Sequence, residues 1–297
     1  MGVARLSRQG VWPAVTEDWL KSTSRPIKPA RVDSSVPNVA RVWNYLIGGR
    51  DNFESDRRAA RQLVAGSPVM EVVGPASRSF LRRVVTYLAA EAGIRQFLDI
   101  GAGMPTAGNT QEIAQAVDPS CRVVLVDNDP VVLSHARALL RSAPEGATSF
   151  IDADARDTRA VIDGTRETLD LERPVGVIMT DVLNFLEDAA EVLARLVAAV
   201  PAGSYLAVMQ PSRDERLAAA ARRWNQLAKT PVFLRDRDQV GFWLTGLELV
   251  DPGIVEVHQW RPAPGDPELP DGVPLLGAVA RKPLPRAPRR GDGGRDR

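Results

Sequence analysis

The stretch QFLDIGAGMPTAGNTQEIAQAVDPSCRVVLVDND, from Gln96 to Asp129, decides the fold that this chain is expected to adopt. It begins with a short apolar run that ends at Gly101 and Gly103, as expected of a buried parallel strand that enters a tight turn. Apolar residues at helical spacing follow, and a second apolar run ends at Asp127. The stretch therefore predicts a strand, a glycine turn, a helix and a second strand that ends in a carboxylate.

Strand and helix patterns alternate from this stretch towards the carboxyl end of the chain. Such alternation predicts an α/β fold with a Rossmann-like, mostly parallel sheet and helices on both faces. Three helices are predicted before the sheet: one from 37 to the glycines at 48–49, one through about 64 that Asp51 or Ser55 caps, and one over about 77–92. Because these helices precede the sheet, we expect them to fold over its ligand-binding end as a lid.

The chain is expected to divide into four segments. Residues 1–35 carry scattered prolines and charges and are expected to be mostly mobile, residues 36–95 form the helical lid, and residues 96–282 form the Rossmann-like domain. Residues 283–297 are expected to be a disordered basic tail. The end of the chain from Arg281 onwards has seven basic and two acidic residues and no apolar periodicity.

The glycine turn and Asp127 indicate a site for a nucleoside. Ligands of open parallel sheets bind beyond the carboxyl ends of the strands, where Asp127 can accept hydrogen bonds from both hydroxyls of a ribose. A dinucleotide fingerprint would need a third glycine where this chain has Thr106. Asp99 would repel a pyrophosphate but would suit a cationic sulfonium amino acid. These residues therefore favour a nucleoside cofactor without phosphates.

Three longer phrases extend this pattern: PNVARVWNYLIGGRDNF at 37–53, DIGAGMPT at 99–106 and VDNDPVVLSHARALL at 126–140. Together they resemble the actinobacterial S-adenosyl methyltransferase family of unassigned substrate, within the class I S-adenosylmethionine-dependent methyltransferases. The resemblance extends from about residue 36 to residue 282. It implies a class I methyltransferase sheet, S-adenosyl-L-methionine as the cofactor and methyl transfer as the activity, but it does not indicate the substrate.

The candidate cofactor-binding residues follow from the strand ends and from this resemblance. They are Tyr45, Arg50, Asp99, Gly101, Gly103, Thr106, Asp127, Asn128, Asp154, Asp181 and Leu183. The resemblance implies that Asp99 helps to hold the amino acid end of the cofactor and that an acidic residue after the third strand contacts the adenine. Asp154 is preferred to Asp152 for this contact, because Asp152 would lie nearer the sheet.

Several of these residues also have a purely structural interpretation. The glycines could serve only a tight turn, Asp127 could be a surface carboxylate, and Asn128 could start a turn instead of touching the adenine. Thr106 could donate to the carboxylate of the cofactor or cap the following helix. Asn109 is expected to cap that helix, with Glu112 as its partner.

The segment TDVLNFL follows the fourth predicted strand, where class I methyltransferases commonly line the transfer site. Asp181, Leu183 and Asn184 are therefore expected to face cofactor or substrate. Phe185 and Leu186 are expected to belong to the core instead. The sequence identifies no catalytic residue, because in-line methyl transfer depends on alignment and on the exclusion of water more than on a covalent group.

Polar residues also surround the two glycines in the predicted lid. Tyr45 and Arg50 could contact the cofactor there, or they could belong to a solvated turn between helices. Either Arg50 or Arg78 could pair with the carboxylate of the cofactor, and the sequence selects neither.

The composition limits other kinds of chemistry. Cys121 is the only cysteine and only two histidines accompany it, so we expect neither an internal disulfide nor a structural metal site. The net charge of +1 gives no argument for nucleic acid binding. No apolar run approaches the ~18 residues of a membrane helix. We therefore expect a cytoplasmic protein without a membrane or nucleic acid partner.

The preferred function is S-adenosylmethionine-dependent methyl transfer to an unidentified small-molecule acceptor in a lidded site. Two alternatives stay open. One is a regulatory protein that binds S-adenosylmethionine without catalysis, and the other is a nucleotide-dependent oxidoreductase. The absence of a third glycine counts against the oxidoreductase. The sequence does not indicate the oligomeric state.

Overall fold

The computed structural model describes residues 32–139, 141–266, 268–269 and 272–285. Most of the predicted mobile segment and most of the predicted basic tail lie outside the described residues. The helices described are α1 (Val39–Leu46), α2 (Glu54–Gly66), α3 (Met70–Ala90), α4 (Thr110–Val117), α5 (Pro130–Leu139), α6 (Thr158–Thr165), α7 (Ala189–Ala199), α8 (Glu215–Leu227) and α9 (Arg237–Trp243). The strands described are β1 (Gln96–Ile100), β2 (Arg122–Asp127), β3 (Ala147–Asp152), β4 (Gly176–Met179), β5 (Tyr205–Pro211), β6 (Glu248–Leu249), β7 (Val255–Glu256) and β8 (Leu275–Arg281).

The described strands form one sheet with the order β3-β2-β1-β4-β5-β8-β6, and β7 also pairs with β8. Strands β1 to β5 are parallel, whereas β8 runs antiparallel to its neighbours. The direction of strand order reverses between β1 and β4, so the carboxyl ends of these two strands form the switch point where such sheets bind ligands. The predicted Rossmann-like, mostly parallel α/β fold is confirmed. The two-residue strand β6 was not predicted, and both of its residues are exposed.

Residues of β1 alternate between two cores, one on each face of the sheet. Leu98 and Ile100 pack with residues of α6 and α7, and Phe97 packs with residues of α3. All five residues of the strand are buried, which explains why the apolar run is nearly continuous. Asp99 shares the face of Phe97, because side chains alternate along a strand, and it therefore lies on the side of α3.

The N-terminal helices pack against α8 as well as against each other. Val42 of α1 and Leu63 of α2 form a small apolar core with Ala220 and Trp224 of α8. The bounds of α3 differ from the prediction. It begins at Met70 rather than near residue 77 and includes a proline. A glycine and a proline disfavour a helix locally, but the neighbouring apolar residues are buried against the sheet, and this packing outweighs the local preference.

A buried ionic network joins the N-terminal helices to the sheet. Arg41 Nε donates to Asp56 Oδ2 at 2.9 Å, and Arg41 Nη1 lies 3.5 Å from Asp129 Oδ2 at the start of α5. The prediction that Asp51 or Ser55 caps α2 was wrong. The helix begins after an extended residue whose backbone N–H donates to Asp56, so Asp56 serves both the helix end and the ion pair.

In the part of the chain that the structure describes, no helix combines the length and the apolar character needed to cross a membrane.

Candidate functional site

A cavity of about 260 Å³ lies at the carboxyl ends of the parallel strands. Most of the predicted cofactor-binding residues line it: Asp99, Gly101, Gly103, Thr106, Asp127, Asn128, Asp154 and Asp181. Tyr45, Arg50 and Leu183 do not. The structure therefore brings together residues from four different strand ends, as the parallel topology requires.

The two glycines of the turn are required for different reasons. Both have a positive φ, +77° at Gly101 and +67° at Gly103, which favours glycine. A Cβ on Gly101 would lie 2.6 Å from the Cβ of Val182. A Cβ on Gly103 would meet no atom within 4 Å. Gly101 thus allows close packing within the fold, whereas Gly103 leaves open space at the cavity that a ligand can fill.

Asp127 is held in place by the backbone around it. Its Oδ2 accepts a hydrogen bond from Gly103 N and its Oδ1 accepts one from Asp129 N, both at 2.9 Å. Burial raises the pKa of Asp127 above its ordinary value, and these hydrogen bonds oppose the shift. Each carboxylate oxygen keeps a second lone pair. The carboxylate therefore fits two ribose hydroxyls without losing its backbone contacts.

Asp99 and Asp181 form a second acidic group at the ends of β1 and β4. Thr110 Oγ1 donates to Asp99 Oδ2 at 2.6 Å, and Ser77 Oγ donates to Asp181 Oδ2. Burial is the main cause that raises the pKa of Asp99 to about 6 and that of Asp181 to about 7. The negative charge of Asp127 raises the pKa of Asp99 further, and that of Asp99 raises the pKa of Asp181. The guanidinium of Arg78 opposes both shifts. Two carboxylates against one guanidinium fit an additional cation.

Asp181 has an unusual backbone conformation. Its φ of +59° is in the left-handed region, although it is not glycine. Such a conformation costs about 1–3 kcal/mol and persists where the surrounding structure imposes it, often at functional sites. Here the hydrogen bond from Ser77 of α3 holds the side chain at the cavity.

Arg78, and not Arg50, lies at the cavity. Its Nη2 donates to Gly108 O at 2.6 Å and to Asn109 Oδ1 at 3.1 Å, so it spans the loop that follows the glycine turn. Arg50 is exposed and does not line the cavity. Asn109 occupies the N-cap position of α4, but its side chain makes no hydrogen bond to the helix. The predicted capping role of that side chain was wrong, because Thr106 and Arg78 donate to it instead.

Asn128 and Asp154 meet at the outer end of the cavity. Asn128 Nδ2 donates to Asp154 Oδ2 at 3.2 Å, and Arg156 Nη2 donates to the same oxygen at 2.7 Å. These hydrogen bonds, chiefly that from Arg156, hold the pKa of Asp154 below its ordinary value. Asp152 is exposed and does not line the cavity. Asp154 therefore lies at the cavity and Asp152 does not, and the contact of Asp154 with the adenine stays a prediction.

The cavity continues into a region that we call the apolar chamber. Its wall residues are Leu63, Met70, Phe185, Leu217, Ala220, Ala221, Trp224, Val232 and Leu234, together with the amide of Asn184. The rings of Phe185 and Trp224 lie 6.1 Å apart at 58°. No sequence pattern indicated the contribution of α8, because its apolar face has the spacing of any core-facing helix.

Residues Leu183–Phe185 form a 3₁₀ helix, and part of the prediction for the direction of their side chains was wrong. Leu183, expected at the cavity, is fully buried in the core and does not line the cavity. Phe185, expected in the core, is half-buried and lines the cavity. Leu186 is buried in the core as expected, and it also lines the cavity. Residues in a 3₁₀ helix repeat every three positions, so neighbouring side chains point in different directions. Asn184 lines the cavity as expected.

Tyr45 does not line the cavity. It packs against the small core between α2 and α8, beside Arg61. In the turn that follows α1, Asp51 contacts His135 of α5, with 3.3 Å between Oδ1 and Nε2. The turn therefore contacts the sheet domain, but the structure does not place Tyr45 or Arg50 at the cavity.

Comparison with known proteins agrees with the geometry of the site. A family model described as S-adenosyl methyltransferase matches residues 25–283. A DUF574 family protein from Streptomyces avermitilis MA-4680 is 41% identical to this chain, with a TM-score of 0.82 over 85% of this chain and 100% of that protein. A candidate methyltransferase from Thermobifida fusca YX is 35% identical, with a TM-score of 0.77 over 85% of this chain and 97% of that protein. No curated protein is significantly similar in sequence.

These matches extend over most of the chain and include the strand ends that form the cavity. They confirm the family, the class of enzyme and the cofactor that the sequence predicted, and both related structures come from actinobacteria. The chain belongs to the S-adenosyl methyltransferase family and is an S-adenosylmethionine-dependent methyltransferase of the class I fold.

Proposed function

We propose that this enzyme methylates a small molecule that binds in the apolar chamber. One observation carries the proposal: a single cavity contains both the acidic strand ends and an apolar region. S-adenosylmethionine supplies an electrophilic methyl group on a sulfonium. A chamber that opens directly from the cofactor end can present an acceptor to that group without a further channel.

The residues at the cavity suggest how the cofactor is held. We assign the binding of the ribose hydroxyls to Asp127. The cofactor can lie against the backbone of Gly103, because there is room for a ligand beside this glycine. Asp99 and Asp181 supply negative charge for the cationic end of the cofactor. The guanidinium of Arg78 suits its carboxylate, since arginine binds carboxylates through two N–H groups.

The outer end of the cavity suits the adenine. Asn128 and Asp154 lie there in contact with each other, and they offer a donor and an acceptor to the edge of a base. Gly101 contributes the tight turn and Thr106 lies on the loop beside it. Tyr45, Arg50 and Leu183 are left out of the proposal, because they do not line the cavity.

We also propose that α1, α2 and α3 act as a lid. Residues of all three helices line the cavity, so together they separate it from solvent on that side. Alignment of two reactants in a closed site can supply ~7–11 kcal/mol of the barrier. The ion pair between Arg41 of α1 and Asp129 connects the proposed lid to the sheet domain.

Calorimetry of S-adenosylmethionine, S-adenosylhomocysteine and NAD with the purified protein tests the cofactor assignment. Asp127→Ala should weaken binding of the first two by about 100-fold, because two hydrogen bonds to a charged group are lost. Asp152→Ala is the matched control, since Asp152 pairs with Asp127 across β2 and β3 but is exposed outside the cavity. A folded protein that binds neither compound would contradict the proposal.

A transfer assay tests the nature of the acceptor. Radiolabelled methyl groups from S-adenosylmethionine should enter the small-molecule fraction of an actinobacterial extract that is incubated with the enzyme. Label that appears only in the protein or nucleic acid fraction would refute the assignment of a small-molecule acceptor. It would not contradict the proposed cofactor site.

A further inference from the structure

The apolar chamber also restricts the chemistry of the acceptor, on the basis of the proposed function. We propose that the acceptor is an uncharged molecule with an apolar ring as its body and a hydroxyl or amine group that hydrogen bonds to the side chain of Asn184. Three features of the chamber carry this inference: the distribution of charge along the cavity, the aromatic wall and the unpartnered amide.

Charge is confined to one end of the cavity. The ionisable residues in its wall come from α3, from the carboxyl ends of β1 and β2, and from the segments that follow β2, β3 and β4. The wall residues from α2, from α8 and from the loop after α8 are leucine, alanine, tryptophan, valine and a threonine. An ion in such surroundings would lose its hydration without gaining a partner. The chamber therefore favours an uncharged ligand.

The chamber presents aromatic surfaces to that ligand. Phe185 and Trp224 lie side by side in its wall, and Trp43 of α1 lines the same cavity. The indole of Trp224 is fixed, because its Nε1 donates to Thr230 O at 2.7 Å. Rigid aromatic walls contact a flat ring over a large area at little cost in side-chain entropy.

Asn184 supplies a polar group in this part of the wall. It is 5% exposed, and its Oδ1 has no hydrogen-bond partner among the described residues. Its backbone carbonyl accepts a hydrogen bond from Phe233 N at 2.7 Å, which fixes the residue in position. Buried polar atoms are nearly always satisfied. A hydroxyl or amine of a bound ligand can complete the hydrogen bonding of this amide.

Equilibrium dialysis with two matched probes tests the preference for an uncharged ring. We expect the protein, saturated with S-adenosylhomocysteine, to bind 1-naphthol at least about tenfold more tightly than 1-naphthoate. Equal binding, a preference for naphthoate, or no binding of naphthol would overturn the inference. Binding of S-adenosylhomocysteine is measured by calorimetry on the same sample. If the proposed function is wrong, S-adenosylhomocysteine itself does not bind; if only the inference about the acceptor is wrong, it binds but the preference for naphthol is absent.

Substitutions locate the probe within the chamber. Ala221→Phe should fill the chamber and weaken naphthol binding about tenfold or more, with S-adenosylhomocysteine binding unchanged. Ala218→Phe is the control, because Ala218 lies on the same helix but does not line the cavity. Asn184→Leu should reduce the affinity for naphthol but not for naphthalene, which has no hydroxyl. An equal loss for both compounds would refute the hydrogen bond to Asn184, and unchanged binding to Ala221→Phe would refute the location.

Discussion

The two ends of the cavity are built in opposite ways. At the proposed cofactor end, Asp99, Gly103 and Asp127 lie within a short stretch of chain and are joined by a strand, a turn and a helix. At the proposed acceptor end, α2 and α8 meet although about half the chain separates them, as the hydrogen bond between Gln62 and Arg223 illustrates with a separation of 161 residues. The first end is charged and the second is apolar. A local sequence pattern can therefore specify the cofactor, whereas the acceptor depends on how distant elements pack.

Substitutions at the two glycines of the turn give the strongest test of which glycine serves the packing of the fold and which serves a contact with the cofactor. Gly101→Ala should lower the free energy of unfolding by ~2–4 kcal/mol, because it combines a positive φ with a clash against Val182. Gly103→Ala should cost only ~1–2 kcal/mol, for the backbone alone. Urea denaturation measures both.

The effect of the two variants on the affinity for the cofactor should have the opposite order, with the larger loss at Gly103. Once folded, the Gly103 variant should bind S-adenosylmethionine more weakly than the wild type, because its methyl group occupies open space at the cavity. Equal stability of the two variants would contradict the assignment of Gly101 to packing. Normal cofactor binding by the Gly103 variant would remove this glycine from the proposed site.

The acidic end should make cofactor binding depend on pH. The pKa values of about 6 for Asp99 and about 7 for Asp181 mean that both carboxyls are partly protonated at about pH 6, and a cation favours their ionised forms. Affinity for S-adenosylmethionine should therefore rise roughly tenfold between about pH 6 and pH 8. Calorimetry in buffers of different ionisation enthalpy should show proton release near pH 6.5.

Two variants sharpen this test. Asp181→Asn should flatten the pH dependence, because one of the titrating groups is removed. The control Asp152→Asn removes an exposed carboxyl outside the cavity and should leave the dependence unchanged. An unaltered pH profile in the Asp181 variant would show that this carboxyl does not take part in cofactor binding.

A smaller effect is expected on the stability of the protein without cofactor. Asp181 has a pKa of about 7 in the folded protein and about 3.9 when unfolded. Since the folded-state pKa is raised, its contribution to stability is fully present below about pH 4 and is lost as the pH rises through about 7. Asp181→Asn should therefore raise the Tm at about pH 8 by roughly 2–4 °C.

This difference in Tm should disappear near pH 4, where the carboxyl is protonated in both states. Thermal denaturation followed by circular dichroism measures it at both pH values. A stabilisation that persists at pH 4, or a destabilisation at pH 8, would contradict the burial of an ionised Asp181.

Sequence reasoning was accurate where one segment contains the whole interaction. The turn and Asp127 were expected to lie together, and the hydrogen bond from Gly103 N to Asp127 Oδ2 shows why, since parallel strands β1 and β2 end side by side. It was less accurate where the direction of a side chain depends on a neighbour. Leu183 was expected at the cavity and Phe185 in the core, but the 3₁₀ helix that contains both residues turns Leu183 into the core and Phe185 to the cavity.

The choice between two arginines shows the same limit. Arg50 and Arg78 were equivalent in sequence, because neither lies in a motif that fixes its direction. The path of α3 across the glycine loop brings Arg78 to Gly108 and Asn109, whereas Arg50 lies in an exposed turn after α1. Only the packing of α3 against the sheet distinguishes them.

The sequence by itself determined the α/β fold, because apolar periodicity and the glycine turn act over a few residues and need no knowledge of distant contacts. The resemblance of three short phrases to a known family indicated the family, and the family implied the cofactor. The tertiary structure alone decided which arginine reaches the cavity and which residues enclose the apolar chamber. Those features arise where α2, α3 and α8 bury their apolar faces together. The apolar spacing of a helix predicts that one face will be buried, but it does not predict which other element will pack against that face.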